Sequence, residues 1–346
     1  MKKSVKTILN GLSVAVFVID AEKIIRFSND AAKTRFGADL KDQNLSIIIT
    51  DQKCINAANQ VLNDEVATVS LEITFQDVVP TTFRFIITRL DAERVGGDAR
   101  AIISLEDISH IREAEQMRID FVANVSHELR SPLTSLTGFI ETLQGPAKND
   151  KVAQTRFLSL MASEAQRMSR LIGDLLSLSK LQARERVAPG EAIDITAILR
   201  RVSASLEPLT MREETTISLI MAPYLPDVTG DADELTQVFQ NLIENAIKYS
   251  HRNSIVEVVA ERDPSHENQL RISVRDHGEG LDPIHIPRLT ERFYRVDKGR
   301  SRNMGGTGLG LAIVKHILIR HRAYLHIDSK PGLGSTFSVF LPIAGI

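Results

Sequence analysis

Between residues 117 and 178 apolar side chains return every three or four positions, in two successive series, and this spacing limits the possible fold more than any other feature of the chain. Met117, Phe121, Val125, Leu129, Leu133, Leu136, Ile140 and Leu143 make the first stripe. Phe157, Leu160, Met161, Ala165, Met168, Ile172, Leu175 and Leu178 make the second. A step of three or four sets each series on one face of an α-helix. Gly145-Pro146 interrupts the run, and a polar stretch follows through Asp150 and Lys151. The two helices are therefore predicted to fold back as a hairpin. A lone hairpin cannot enclose its own apolar stripe, so self-association into a four-helix bundle is the expected outcome.

The texture differs on either side. Residues 1–106 carry short β-branched runs, Val14 to Ile19, Thr81 to Ile87 and Ala101 to Leu105, separated by turn-formers such as Ser28-Asn29-Asp30 and Gly96-Gly97-Asp98. That pattern predicts a small antiparallel sheet with a few helices. From 191 onward the patterns mix. Asp233 to Tyr249 has helical spacing, whereas Ser254 to Ala260, Gln269 to Val274 and Ser335 to Leu341 read as strands. The fold class expected is multidomain α+β: an N-terminal α/β domain over 1–106, a helical hairpin over 107–184 and a C-terminal α/β sandwich over 191–346.

Composition removes several alternatives. Hydrophobic residues make up 43% and charged residues 25%, a globular balance, and the net charge of −2 gives no general attraction for nucleic acid. Cys54 is the one cysteine, which excludes a disulfide framework or a thiolate zinc site and leaves a small core residue as the plain reading. No run approaches the ~18 apolar residues of a membrane helix, and the N-terminus lacks the zones of a signal peptide. A cytoplasmic location is expected, with membrane contact only through an anchor upstream of this chain.

His127 lies two residues beyond Val125 and two before Leu129, both in the first stripe. Two residues turn a helix by about 200°, so the imidazole is predicted to face solvent from mid-helix. Glu128 can bond the Nδ1–H and leave Nε2 as the nucleophile. Pro132 removes a backbone hydrogen bond and is expected to bend the helix. The segment His127-Glu128-Leu129-Arg130-Ser131-Pro132-Leu133 resembles the phosphoacceptor box of two-component sensor histidine kinases. Further motifs follow in that family's order.

Asn241-Leu242-Ile243-Glu244-Asn245-Ala246-Ile247-Lys248-Tyr249 resembles the N box. Asn241 and Asn245 share a helix face, Asn245 offers a neutral oxygen to a Mg²⁺ held mainly by phosphates, and Lys248 can neutralise phosphate charge. Asp276-His277-Gly278-Glu279-Gly280 resembles the G1 box, which implies that Asp276 accepts from the adenine amino group while Gly278 and Gly280 let the backbone pass close. His277 departs from a common Asn there. Glu291-Arg292-Phe293-Tyr294-Arg295-Val296-Asp297 resembles the F box, with Arg295 implied at the terminal phosphates and Phe293 anchoring a lid. The segment from Asp297 to Met304 has Lys298, Arg300 and Arg302 and few apolar residues, and is expected to stay mobile until nucleotide arrives. Gly305-Gly306-Thr307-Gly308-Leu309-Gly310 resembles the G2 box, whose amides and helix N-terminus suit phosphate, and Gly332 to Thr336 resembles the element that closes the site. Tyr249, Leu309 and Thr336 join the cofactor-binding set by this resemblance.

The resemblance implies a protein-histidine kinase using ATP and Mg²⁺, a homodimer joined through 107–184, His127 as acceptor, and transfer to an aspartate of a response-regulator receiver domain. Relatives that dephosphorylate their partner use Thr or Asn four residues past the histidine, where this chain has Ser131. Gyrase, heat-shock chaperones and mismatch-repair ATPases share the Asn and Asp-x-Gly-x-Gly elements but not the His-Glu-Leu-Arg-Ser-Pro box, which separates this chain from them. A catalytically silent scaffold would have no need of Asn245, Asp276 and the G2 glycines. Asn10 to Gly37 looks like the start of a PAS sensor domain, and Leu105-Glu106-Asp107-Ile108-Ser109 like its acidic exit. A dimerisation module without a sensing role is the alternative. The composition resembles that of phosphate-sensing members.

Overall fold

The β-branched runs of the N-terminal region become strands β1 (Ala15–Ile19), β2 (Ile25–Ser28), β3 (Thr68–Phe75), β4 (Thr81–Arg89) and β5 (Ala101–Asp107). They form one antiparallel sheet ordered β2-β1-β5-β4-β3. The computed structural model describes residues 3–37, 40–76, 80–91, 98–184, 187–297 and 306–345. The predicted Gly96-Gly97 turn lies outside them. The chain divides into two compact units, Met1–Ala123 and Asn124–Ile346.

In the first unit, alternation decides the buried face. Phe83, Phe85 and Ile87 of β4 are buried, and the register sets Phe85 opposite Leu105 and Ile87 opposite Ile103, so core faces meet across the strands. Helices α2 (Asp30–Phe36) and α3 (Gln52–Leu62) contribute Ala32, Ala57, Ala58 and Val61 to that core. Each fully buried Phe or Ile contributes about 1.5–3 kcal/mol. Cys54 of α3 sits in the same core, and burial pushes its thiol up to about 12. Asn29 is wholly buried and serves as a junction. Its Oδ1 accepts from Val16 N (2.9 Å) and Ala32 N (2.9 Å), while Nδ2 donates to Leu9 O (3.0 Å), at the end of α1 (Lys3–Asn10), and to Val14 O (2.9 Å). One amide thereby ties together backbone groups of α1, of α2 and of the run that enters β1.

Helix α4 (Ser109–Gln144) starts where β5 ends. Asp107 Oδ1 accepts from Ser109 N at 2.9 Å, Ser109 Oγ accepts from Thr82 N at 2.9 Å, and Arg112 Nε donates to Glu72 at 2.8 Å. Because these first turns of α4 are tied to the sheet, the division between units falls inside α4 at Ala123 rather than at its start.

In the second unit α4 runs on through Pro132 without interruption. The turn at Gly145 to Asp150 leads to α5 (Lys151–Arg184), whose first N–H groups are held by Asp150 Oδ1 at 3.0 and 2.9 Å. Phe139 and Phe157 meet across the hairpin, ring centroids 5.5 Å apart. The remainder is a two-layer lobe. Strands β7 (Thr216–Met221), β9 (Ile255–Arg262), β10 (Gln269–Arg275), β11 (Tyr324–Lys330) and β12 (Gly334–Pro342) form a sheet ordered β11-β12-β10-β9-β7, parallel only between β7 and β9. A two-stranded sheet, β6 (Glu191–Ile193) with β8 (Val228–Gly230), stands beside it. Helices α6 (Ile195–Ser205), α7 (Glu207–Glu213), α8 (Ala232–Tyr249) and α9 (Gly310–Arg320) complete the lobe. Leu235, Val238, Phe239, Leu242, Ile243 and Ala246 form the buried face of α8, the face its spacing predicts. The hairpin shares a unit with this lobe because α5 packs against α9.

Candidate active site

The cavity of about 470 Å³ lies between α8, the end of β10 and the glycine-rich segment that opens α9. Its deep end belongs to Asp276, which lines the wall just past β10 and is 4% exposed. Asp276 Oδ1 accepts from Gly278 N (3.0 Å) and Ser335 N (3.2 Å), so the turn holds the carboxyl in place. Burial outweighs these bonds and raises its pKa above the usual carboxylate value. Gly278 is required for a steric reason: a Cβ there would sit 2.0 Å from the Tyr249 carbonyl oxygen at the end of α8.

Towards the other end α8 presents Asn241, Asn245 and Lys248, all lining the cavity. Lys248 Nζ donates to Glu244 Oε1 at 2.6 Å. Gly306, Thr307, Gly308 and Gly310 face them. Gly310 carries no Cβ because one would meet Asn241 Oδ1 at 2.6 Å, and that closeness brings the start of α9 beside the asparagine helix. The remaining wall comes from the hairpin, through Arg170 and Asp174 of α5. Thr307 Oγ1 donates to Asp174 Oδ2 at 2.7 Å.

Arg295 joins this cavity to the hairpin's first helix. Its guanidinium lines the cavity, is 6% exposed and reaches Glu128 Oε2 at 3.3 Å. Arg167 of α5, also buried, donates to the same oxygen at 2.9 Å. Glu128, expected on the His127 ring, thus has this oxygen shared by two arginines. His127 itself is exposed, one residue away, with Val125 and Leu129 half-buried as the spacing predicts. Ser131 follows one turn on, and its carbonyl accepts from Ser135 Oγ at 3.2 Å.

The structure gathers Asn241, Asn245, Lys248, Tyr249, Asp276, Gly280, Arg295, Gly306, Thr307, Gly308 and Gly310 around one space. The other expected residues stand off its wall. Leu309 is fully buried in the core, and Gly278 packs on Tyr249. Thr336 is displaced by strand alternation: Ser335 and Phe337 line the cavity, which turns Thr336 to the other face of β12. Phe293 holds the backbone instead of the cavity, with its N–H on Gly308 O at 2.8 Å and φ of +62°. Lys298, Arg300, Arg302, Met304 and Gly305 lie outside the described residues. Arg167, Arg170 and Asp174 were not foreseen. Their spacing marks a common helix face, but a polar face gives no sign of what it meets.

Among the described residues no group of three or more His, Cys, Asp or Glu could hold a metal ion. The oxygens of Asn245 and Glu244 at the cavity instead fit a hard cation that arrives with phosphate ligands of its own.

Residues 117–184 match the family described as "His Kinase A (phospho-acceptor) domain", and residues 230–345 match "Histidine kinase-, DNA gyrase B-, and HSP90-like ATPase". The phosphate regulon sensor protein PhoR of Pseudomonas aeruginosa is 44% identical over 242 residues, 70% of this chain and 54% of that protein. Sensor protein kinase WalK of Staphylococcus aureus is 32% identical over 351 residues, 99% of this chain and 81% of that sequence. Against WalK of strain Newman the coverage is 55%, so the chain spans about half the length of several curated relatives. A crystal structure of histidine kinase ThkA with response regulator protein TrrA shares the fold, with TM-score 0.53 at 18% identity over 98% of each chain. With an acceptor-type hairpin and an ATPase-type lobe in this order, the chain belongs to the two-component sensor histidine kinases.

Proposed function

We propose that the chain uses Mg²⁺-ATP to phosphorylate His127 and passes the phosphoryl group to an aspartate of a response-regulator receiver domain. The observation that carries this reading is Arg295: one guanidinium lines the nucleotide-sized cavity and touches Glu128, the neighbour of His127. Asp276 receives the adenine amino group, and Asn245, Lys248, Arg295 and the Gly306–Gly310 segment surround the phosphates. Mg²⁺, when bound beside Asn245, neutralises phosphate charge. Imidazole Nε2 attacks the γ-phosphorus, the N–P bond forms as the bond to the bridging oxygen breaks, and ADP leaves. Glu128 orients the ring or accepts the Nδ1 proton once it parts from the arginines.

The rest of the assignment follows from the same elements. Residues 107–184 form the dimerising hairpin and 191–346 the catalytic lobe. The N-terminal unit, a five-stranded antiparallel sheet with helices packed on its core, supports a PAS-like sensory domain over 1–106. Ser131, with a hydroxyl one turn past His127, supports a phosphatase role towards the partner. Incubation with γ-labelled ATP and Mg²⁺ tests the central reading. The wild-type chain is expected to take up acid-labile label that a receiver domain then removes, and His127→Gln to take up none. Histidine label persisting in His127→Gln overturns the site.

A further inference from the structure

One wall of the cavity's phosphate end is supplied by the hairpin, outside every motif of the lobe. Arg170, Asp174 and Ser177 follow at helical spacing on α5, and all three face the lobe: the first two line the cavity, and Ser177 Oγ donates to Gln237 of α8 at 3.2 Å. Asp174 goes furthest in. Its Oδ2 accepts from Thr307 Oγ1 at 2.7 Å, at the centre of the glycine-rich segment. The charged groups around it are Arg170 on its own helix and Glu244 and Lys248 on α8. Lys248 is already engaged by Glu244 at 2.6 Å, so it is not dedicated to balancing the Asp174 charge. Burial raises the Asp174 carboxyl above its ordinary range despite the threonine bond, as expected for an acid placed where charge is poorly solvated.

A polyphosphate in this cavity needs the same hydroxyl and the same segment of backbone, and carries the same sign of charge. We propose that Asp174 competes with nucleotide phosphates for Thr307 and the Gly306–Gly310 segment, so that nucleotide binding and the contact between α5 and the start of α9 exclude each other. The inference rests on reading the cavity as the nucleotide site and adds to it a release device. Each phosphate group that enters repels the carboxylate from Thr307 and loosens the lobe from the hairpin. By reciprocity, whatever holds α5 against the lobe weakens nucleotide binding by the same factor. Adenosine, which has no phosphate, does not engage the device.

The test measures binding of ATP and of adenosine to the full chain by calorimetry, with Mg²⁺ and again with EDTA, for wild type, Asp174→Asn and Asp174→Ala. The isosteric amide removes the charge while keeping an oxygen for Thr307, and the alanine removes both. Both variants are expected to bind ATP about tenfold more tightly, a change of ~1.4 kcal/mol, in either condition, with adenosine affinity unchanged. Unchanged ATP affinity in a variant that still binds adenosine overturns the inference alone. So does an equal change for ATP and adenosine, which marks a general structural effect. Weaker binding of ATP confined to the Mg²⁺ series makes Asp174 a metal ligand and likewise overturns it. A wild-type chain that binds neither ligand removes the nucleotide reading of the cavity, and this inference with it.

Discussion

Asp276 carries two separable duties, and a single substitution divides them. Its Oδ1 organises the turn through Gly278 and Ser335, while in the function proposed above the carboxylate charge serves the ligand. Asp276→Asn keeps an oxygen for both backbone N–H groups, so the fold is expected to stand. ATP binding is expected to weaken roughly ten- to hundredfold, the worth of a hydrogen bond to a charged group. Binding titrations with a parallel denaturant melt check both halves, and equal losses in stability and affinity would contradict the division. At this scale the sequence was informative where the chemistry is local. Asp276, Gly278 and Gly280 lie within five residues, and the tight turn needs each of them. It was silent about Asp174, whose partner Thr307 is more than a hundred residues away, and about Arg167, whose partner Glu128 lies on the other helix of the hairpin. The positive φ of Phe293 was equally hidden, because a bulky side chain normally avoids that region.

Among the elements, α8 and α9 were legible to different depths. The apolar face and final residue of α8 were evident from spacing, whereas its fastening to α9 depends on His321, a histidine with no motif around it. His321 has no exposed side chain: Nε2 accepts from Asp231 N at 3.0 Å, and Nδ1 meets Ile317 O at 2.8 Å. Asp231 also caps α8, so this one ring joins the end of α9 to the start of α8. A ring that accepts through Nε2 must be neutral there. Burial depresses its pKa below 6.5, against the opposing pull of Glu234 and Asp231, while Arg320 adds to the depression. The folded state thus binds this proton less readily than the unfolded chain. Its contribution to stability is complete above about pH 6.5 and declines as the pH falls through the folded-state pKa. Denaturant melts of the full chain are expected to show a fall in stability on acidification below pH 6.5, reduced in His321→Gln. A curve of the same shape in that variant would assign the acid sensitivity elsewhere.

For the molecule as a whole, the hairpin exposes more apolar surface than one copy can cover. Leu133 is 56% exposed, Leu158 58% and Leu176 58%, all three on the one hairpin. Pairing with a second copy is the expected remedy. Sedimentation analysis is predicted to find a dimer, and Leu133→Asp, which places a charge in both halves of the interface, to weaken it at least about a hundredfold. A wild-type chain that stays monomeric at high micromolar concentration would contradict this. Domain class could be read from periodicity alone, since stripes of step two and step three-to-four alternate in blocks along the chain. The division into compact units could not, because it depends on side chains such as Arg112 and Glu72 that look like ordinary surface charge until the sheet brings them together. The fastening of Phe293 N–H to Gly308 O has a consequence for how such a chain tolerates change. The clasp pins two short runs of the cavity wall to each other, Tyr294 and Arg295 beside Phe293 and Thr307 beside Gly308. A shift of one residue at the clasp would therefore displace Gly308 together with the Thr307 hydroxyl and the Arg295 guanidinium, so register there is constrained by both runs at once.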